Sequence, residues 1–472
     1  MKCLIAFLST LLILASTASA NPERFIVEKS PTIAFVNARV IDGSGKPAQQ
    51  NQTVIIRDGR IIKIGGDGTL EIPKDAKRIS LRGKSLLPGW VMTHEHMHYI
   101  TRSTRINDGP AIGISVANTT FSPQSVIYPR LYLSAGVTTA RTAGSVYHYT
   151  DLRVKRAIAA GELVGPDLDL TVGLDYVGSV VRDPEHARRQ VRFWAGEGMT
   201  SVKLFEEITP EQAAAAIDEA HQHGLKVTGH LCATTLREAV DLGIDHIEHG
   251  LSGLVYDYRP LKKAGLCPKG TASVDLDSLN PGNKRVQALI QHIIDNNVFV
   301  TSTLPVFFRE PLPDNVAAWL NESGLRDYQH YQQQQQKRKK SPKGNQLGQV
   351  AMALEAAFWR AGGQLTVGSD AAGTGVLAGY DNLRALELLV EAGIPPMEVI
   401  KIATHNGAVS IDLLDDRGTI AVGKRADLLI IGGNPDVDIK DIQQLETVFK
   451  NGIGYDVEAL RKSAIGTIGG PG

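Results

Sequence analysis

Two histidines separated by one residue, His94 and His96, close the apolar run Leu87 to Thr93 and are the first groups that could do chemistry. Alternate residues of a strand share a face, so both imidazoles can reach one cation. A lone H-x-H pair is weak evidence for a metal site, and its downstream company is what strengthens it. Lys203 lies in Thr200 to Phe205, His230 ends Leu225 to His230, His249 lies in Asp245 to Gly250, and Asp370 ends Leu365 to Asp370. Each group lies in or closes a short, largely apolar run. Polar groups projecting from the C-terminal ends of several parallel strands are what a (β/α)8 barrel presents at its catalytic face. The expected fold class is therefore α/β. Imidazole-rich donor sets suit zinc, with manganese, iron or cobalt as alternatives.

The elements that must position these groups alternate between strand and helix patterns. Thr209 reads as an N-cap, Pro210 as the first helical residue, Gln212 as the partner in a capping box, and Gly224 as the stop. That helix joins the Lys203 run to the His230 run, the right-handed βαβ crossover a parallel barrel requires. Val298 to Leu304 reads as a seventh strand. Pro305 to about Asn345 is longer than a usual connection, and part of it reads as a lid or a dimer element. His246 is at odd spacing from His249, so it is expected to face the other way and pack.

Outside the barrel, Ile33 to Ile41 and Val54 to Ile62 read as strands, the second pair turning at Asp58-Gly59. Further strands appear at Ala426 to Ile431 and Leu445 to Phe449. Either group alone would be marginal, so one small β-sandwich built from both termini is expected. The chain then divides into a leader at 1–20, the first part of the sandwich at 21–87, the barrel at 88–415 and the rest of the sandwich at 416–472. A length of 472 residues suits that combination.

The formal charge is zero, which argues against a nucleic-acid partner. The cluster Lys337 to Lys340 follows Gln332 to Gln336 and reads as a solvated surface. Met1-Lys2, the apolar stretch Leu4 to Ala15 and the Ala18-Ser19-Ala20 cleavage pattern read as a secretory signal peptide. The apolar stretch is too short and wrongly flanked for a stable membrane span. The expected location is periplasmic or secreted. Only Cys232 and Cys267 remain after cleavage. An oxidising compartment permits a bridge between them, but two buried free thiols are the plain expectation.

The ordered set His94-x-His96, Lys203, His230, His249, Asp370 resembles the amidohydrolase superfamily of metal-dependent hydrolases. Gly136 to Arg141 is similar to its second-strand motif, and Ala403 to Ala408 with Gly418 to Leu428 resemble its barrel-exit and C-terminal motifs. The likeness covers nearly the whole mature chain and is greatest for the imidazolonepropionase-like and Xaa-Pro dipeptidase-like branch. Met92 stands where the family usually has Asp, and Thr142 where an Asp commonly follows the second-strand Arg. Neither position is a direct ligand, so the departures bear on supporting groups and substrate choice.

The resemblance implies two divalent cations, one on His94, His96 and Asp370 and the other on His230 and His249. It also implies a bridging carbamate on Lys203, an attacking hydroxide between the metals and Asp370 as proton shuttle. The expected reaction is cleavage of an amide bond in a small molecule: a dipeptide, an N-acyl amino acid or a cyclic amide. A lactone or phosphoester would be served by the same groups, whereas a metal-free binding protein would lack ligands that are all present here. Substrate contacts are expected from loops after the strands: His98, Tyr99, Arg141, Tyr176, Phe307, Phe308 and Arg309. Of these, Arg141 or Arg309 would pair a substrate carboxylate.

Overall fold

The computed structural model describes residues 21–102, 119–176, 180–257, 265–267, 276–339, 345–373 and 375–470. The leader expected at 1–20 and Lys340 of the basic cluster lie outside them. Nine short strands carry or flank the groups of interest. These are β1 (Trp90–Glu95), β2 (Val137–Thr142), β3 (Asp167–Asp169), β4 (Thr171–Leu174) and β5 (Ser201–Leu204). They continue as β6 (Lys226–Gly229), β7 (His246–Glu248), β8 (Phe299–Ser302) and β9 (Leu365–Val367). All pair in parallel, β1 to β3 in one sheet and β4 to β9, in order, in a second. Parallel strands are covered on both faces and so read as near-continuous apolar runs. Val91, Val172, Val202, Val227, Val300 and Val367 are buried accordingly.

The hydrogen-bonded ladder does not close into one barrel; short contacts bridge its two seams. At one, Leu170 alone separates β3 from β4, and Ser145, just beyond β2, bridges to Val172. At the other, Thr93 Oγ1 donates to Thr366 Oγ1 at 2.9 Å, and Asp370 N donates to His94 O at 3.0 Å.

Helices between the strands begin and end where their sequences dictate. Asp183 caps Pro184–Glu197 by accepting from His186 N, and Gly198, at φ +102°, ends it. The capping box of Thr209 and Gln212 opens Pro210–Gln222, which leads from β5 to β6 as expected. Thr235 and Glu238 repeat the device on Leu236–Asp241, between β6 and β7.

Both chain ends enter one antiparallel-rich sheet of nine strands, in which Leu428–Gly432 lies directly against Lys84–Pro88. Its own core contains Ile33, Phe35, Val54, Leu86, Ile430 and Phe449. Each such side chain contributes roughly 1.5–3 kcal/mol on burial. The Arg57–Arg60 hairpin turns at Asp58 and Gly59, with φ of +48° and +77°, the left-handed pair a two-residue hairpin loop needs. Asp167 in β3 ties the sheet to the parallel strands, accepting from Arg417 at 2.7 Å, Arg425 at 2.9 Å and Lys450 at 2.7 Å.

The long connection after β8 contains Asp314–Ala317 and the helix Glu322–Lys339. One expectation changes. Cys232 and Cys267 form a disulfide, with Cα atoms 5.1 Å apart, rather than standing as two free thiols. The bridge joins the segment after β6 to the segment after β7, a proximity that sequence spacing could not reveal.

Candidate active site

The strand ends bring the candidate ligands together around Asp370. His94 Nε2 lies 3.4 Å and His96 Nε2 2.9 Å from Asp370 Oδ1, and His249 Nδ1 lies 3.6 Å from Asp370 Oδ2. His94, His96 and Asp370 offer ligand atoms within 4.8 Å of one another. The rings continue in a chain, His94 to His249 at 4.6 Å between centroids and His249 to His230 at 4.4 Å. Local backbone makes this possible. Gly368 packs so closely that a Cβ there would stand 2.5 Å from His94 O. His249 and Asp370 adopt φ of +62° and +53°, left-handed values that are uncommon outside glycine and cluster at functional sites. The turn at His249 lies just past β7, which is why it reaches the site although its spacing from His246 is odd.

Electrostatics follow from burial among opposed charges. Burial and the Lys203 charge disfavour protonation of His94, but Glu248 and Asp370 outweigh them and raise its pKa. Burial would raise the carboxyls of Asp370 and Glu248, but His94 and its neighbours hold both well below the usual range. Burial pushes His249 well down, helped by His230 and His94. Lys203 is wholly buried, and desolvation lowers its amine to about 8 against the pull of Glu248 and Asp370. A neutral amine is the form that reacts with carbon dioxide.

Beneath the ligands lies a buried layer that the sequence reading missed. Glu248 Oε2 sits 2.5 Å from His94 Nδ1, so Nδ1 carries a proton and Nε2 is the ring atom turned toward Asp370. Thr228 Oγ1 donates to Glu248 as well. Arg141 donates to Glu248 Oε1 at 3.1 Å, to Thr93 O at 3.0 Å and to His246 Nδ1 at 3.0 Å. Glu95 is buried against Ser369 and Asn382. The available signal was alternation: Glu248 shares a strand face with His246, and Glu95 sits between two ligands.

A cavity of about 930 Å³ opens over these groups, lined by His94, His96, Lys203, His230, His249 and Asp370 at its base. Tyr176 and Phe205 stack at 3.9 Å on its wall. Phe307, Phe308 and Arg309 line it too, together with His330 and Tyr331 of the Glu322–Lys339 helix. Tyr176 and Arg309 therefore face the cavity as expected. Three expected contacts do not. Arg141 is fully buried on its carboxylate and carbonyl partners, and Tyr99 is buried with its hydroxyl donating to Asp327 at 3.2 Å. His98 is buried between His96 and Phe121. Being near H-x-H in sequence, or in the second-strand motif itself, did not bring any of them to the cavity lining.

The donors fit divalent cations: four imidazoles, an ionised carboxylate and a lysine depressed toward neutrality. His96 Nδ1 is also buried without a hydrogen-bond partner among the described residues.

The amidohydrolase family model matches residues 130–453, a stretch that includes Lys203, His230, His249 and Asp370 but begins after His94 and His96. An enamidase from Eubacterium barkeri is 25% identical over 223 residues, 44% of this chain and 51% of that protein. The match thus spans about half of that relative's length. A Xaa-Pro dipeptidase crystallised with bound methionine superposes with a TM-score of 0.66 at 19% identity, covering 90% of this chain and 100% of that one. Phenylurea hydrolase B gives 0.66 at 17%, covering 91% and 98%. Molinate hydrolase gives 0.64 at 19%, covering 92% and 96%. With the family model covering more than half of it, the chain belongs to the amidohydrolase family.

Proposed function

We propose that this chain is a metal-dependent hydrolase that cleaves an amide C–N bond in a small molecule. The observation that carries the reading is the convergence of His94, His96, His249, His230, Lys203 and Asp370 at the base of one cavity. The enamidase likeness and the fold shared with a Xaa-Pro dipeptidase support it. His94, His96 and Asp370 would hold one cation, and His230 and His249 a second, with a carbamate on Lys203 shared between them. Such cations, when bound, acidify water and polarise a carbonyl.

The chain's own groups do the rest. Asp370, held ionised, accepts a proton from the attacking water and returns it to the departing nitrogen. Glu248 keeps the His94 proton on Nδ1. Tyr176 and Phe205 give the substrate an aromatic wall, and Arg309 at the rim pairs with a substrate carboxylate. The Glu322–Lys339 helix roofs the cavity and restricts water.

The finer architecture follows the same reading. β3 and β4 count as one strand interrupted at Leu170, so that the two parallel sheets form an eight-membered barrel over about residues 88–415. The terminal sheet forms a small sandwich from 21–87 and 416–472. Residues 1–20 act as a secretory leader, and the Cys232–Cys267 bridge suits a periplasmic or secreted location.

The test is turnover by the zinc-loaded protein, lacking residues 1–20, across dipeptides, N-acyl amino acids, cyclic amides, lactones and phosphotriesters. Amide turnover at least tenfold above the others is expected. Turnover confined to lactones or phosphotriesters would reverse the choice of bond.

A further inference from the structure

β1 and β9 lead to three of the candidate ligands, His94, His96 and Asp370, yet no ladder pairs these strands among the described residues. In place of a ladder the seam has the backbone bond from Asp370 N to His94 O and the Thr93–Thr366 contact, and a further brace lies behind them. Glu95 lies between the two histidines, and alternation turns it to the opposite face of β1, away from the cavity. It is wholly buried there.

Three hydrogen bonds reach it from the Asp370 side of the seam. Ser369 N donates to Oε1 at 3.0 Å, Ser369 Oγ to Oε2 at 2.5 Å, and Asn382 Nδ2 to Oε1 at 2.7 Å. Ser369 immediately precedes Asp370, whose left-handed backbone aims its carboxylate at the histidines. Asn382 accepts from Gly379 N at 2.8 Å, so the start of the Tyr380–Glu391 helix is part of the same brace. Across the strand end, Tyr132 Oη donates to His96 O at 2.6 Å and holds the histidine backbone from the other side.

We infer that Glu95 is a positioning residue: it braces the His94–His96 strand end against the Ser369–Asp370 turn and so sets the geometry in which one cation is held. The inference rests on the metal reading above. It asks for a carboxylate because two acceptor oxygens serve three donors. Glutamine keeps one acceptor oxygen and turns an amide toward Ser369 Oγ, which can rotate to accept. Alanine keeps nothing.

The experiment is zinc titration of apo protein against a chromophoric chelator, in two backgrounds. His230→Ala leaves the His94–His96–Asp370 half, and His94→Ala leaves the other. Partners of metal ligands are typically worth 10–100-fold in affinity. Glu95→Ala should weaken zinc about 10–100-fold in the first background and leave the second unchanged, with Glu95→Gln losing less. Far-ultraviolet circular dichroism checks that each variant is folded. If Glu95→Ala does not fold, Ser369→Ala, which removes the Oγ donor and keeps the backbone N–H, carries the same comparison. Unchanged affinity in the first background, or equal loss in both, overturns the brace while leaving the metal reading intact. A parent chain that takes up no zinc overturns the metal reading and the brace with it.

Discussion

Around Asp370 the candidate donors of His94, His96 and Asp370 lie within 4.8 Å of one another on buried hydrogen bonds, whereas the His230 side chain is 34% exposed with Glu206 3.3 Å away as its partner. The first half is pre-organised by Gly368, Glu95, Glu248 and Arg141, none of which touches the cavity. The second half leans on Lys203, a cation in its unmodified form, and on a loop secured by the Cys232–Cys267 bridge. The lesson is that one half has its geometry fixed by buried partners, and the other, on the proposed reading, would be completed by what binds there. Buried polar groups with fixed partners hold geometry before any ligand arrives, while a half-exposed pair contributes little on its own.

The largest expected effect separates chemistry from binding at the rigid half. Asp370→Asn keeps the shape but removes the base, and turnover should fall by roughly 10²–10⁴-fold. Bound metal, measured alongside, should persist in part because His94 and His96 remain. Near-normal turnover would place the proton carrier elsewhere.

Next comes the bridge behind His230. Removing a disulfide from a folded chain typically costs about 2–4 kcal/mol. Cys232→Ala with Cys267→Ala should lower chemical-denaturation stability by that order, and should weaken metal uptake at the His230 half before the other. Equal weakening of both halves would erase the contrast drawn between them.

Glu248→Gln against Glu206→Gln sharpens it further. The first leaves Arg141 buried beside a neutral amide and unsettles the His94 proton, so zinc affinity at the rigid half should drop about 10–100-fold. The second alters an exposed partner and should give a much smaller change. Isothermal titration of the two variants decides between them, and reversed magnitudes would contradict the assignment.

The smallest effect is a pH dependence. Lys203 has a folded pKa of about 8 against an ordinary 10.5. Between those values the unfolded chain holds a proton that the folded chain lacks, so this group makes stability rise with pH across that window. The apo, bicarbonate-free protein should therefore gain stability relative to Lys203→Met as pH goes from about 8 to 10.5. Parallel stability curves would mean that burial does not depress the amine.

Much of this was legible beforehand. Strand-ending polar groups, the Thr209 capping box and the pairing of both termini in one sheet follow from local periodicity and turn chemistry. The substrate face was read less well. Tyr99 and Arg141 sit next to the motifs in sequence, but their partners, Asp327 and Glu248, are remote in the chain and hold them out of the cavity lining. Glu95 and Glu248 looked unremarkable because a buried carboxylate declares itself only through its donors. Pattern gives the face a side chain takes, not the groups it meets there.

The central claim is a site of two halves, each holding a cation. Metal content per folded chain, measured by elemental analysis on the parent protein and on His94→Ala and His230→Ala, tests it most directly. The account predicts close to two divalent cations in the parent, with each variant losing metal and most of its turnover. A His230→Ala protein that keeps the parent's metal content and full turnover would contradict it.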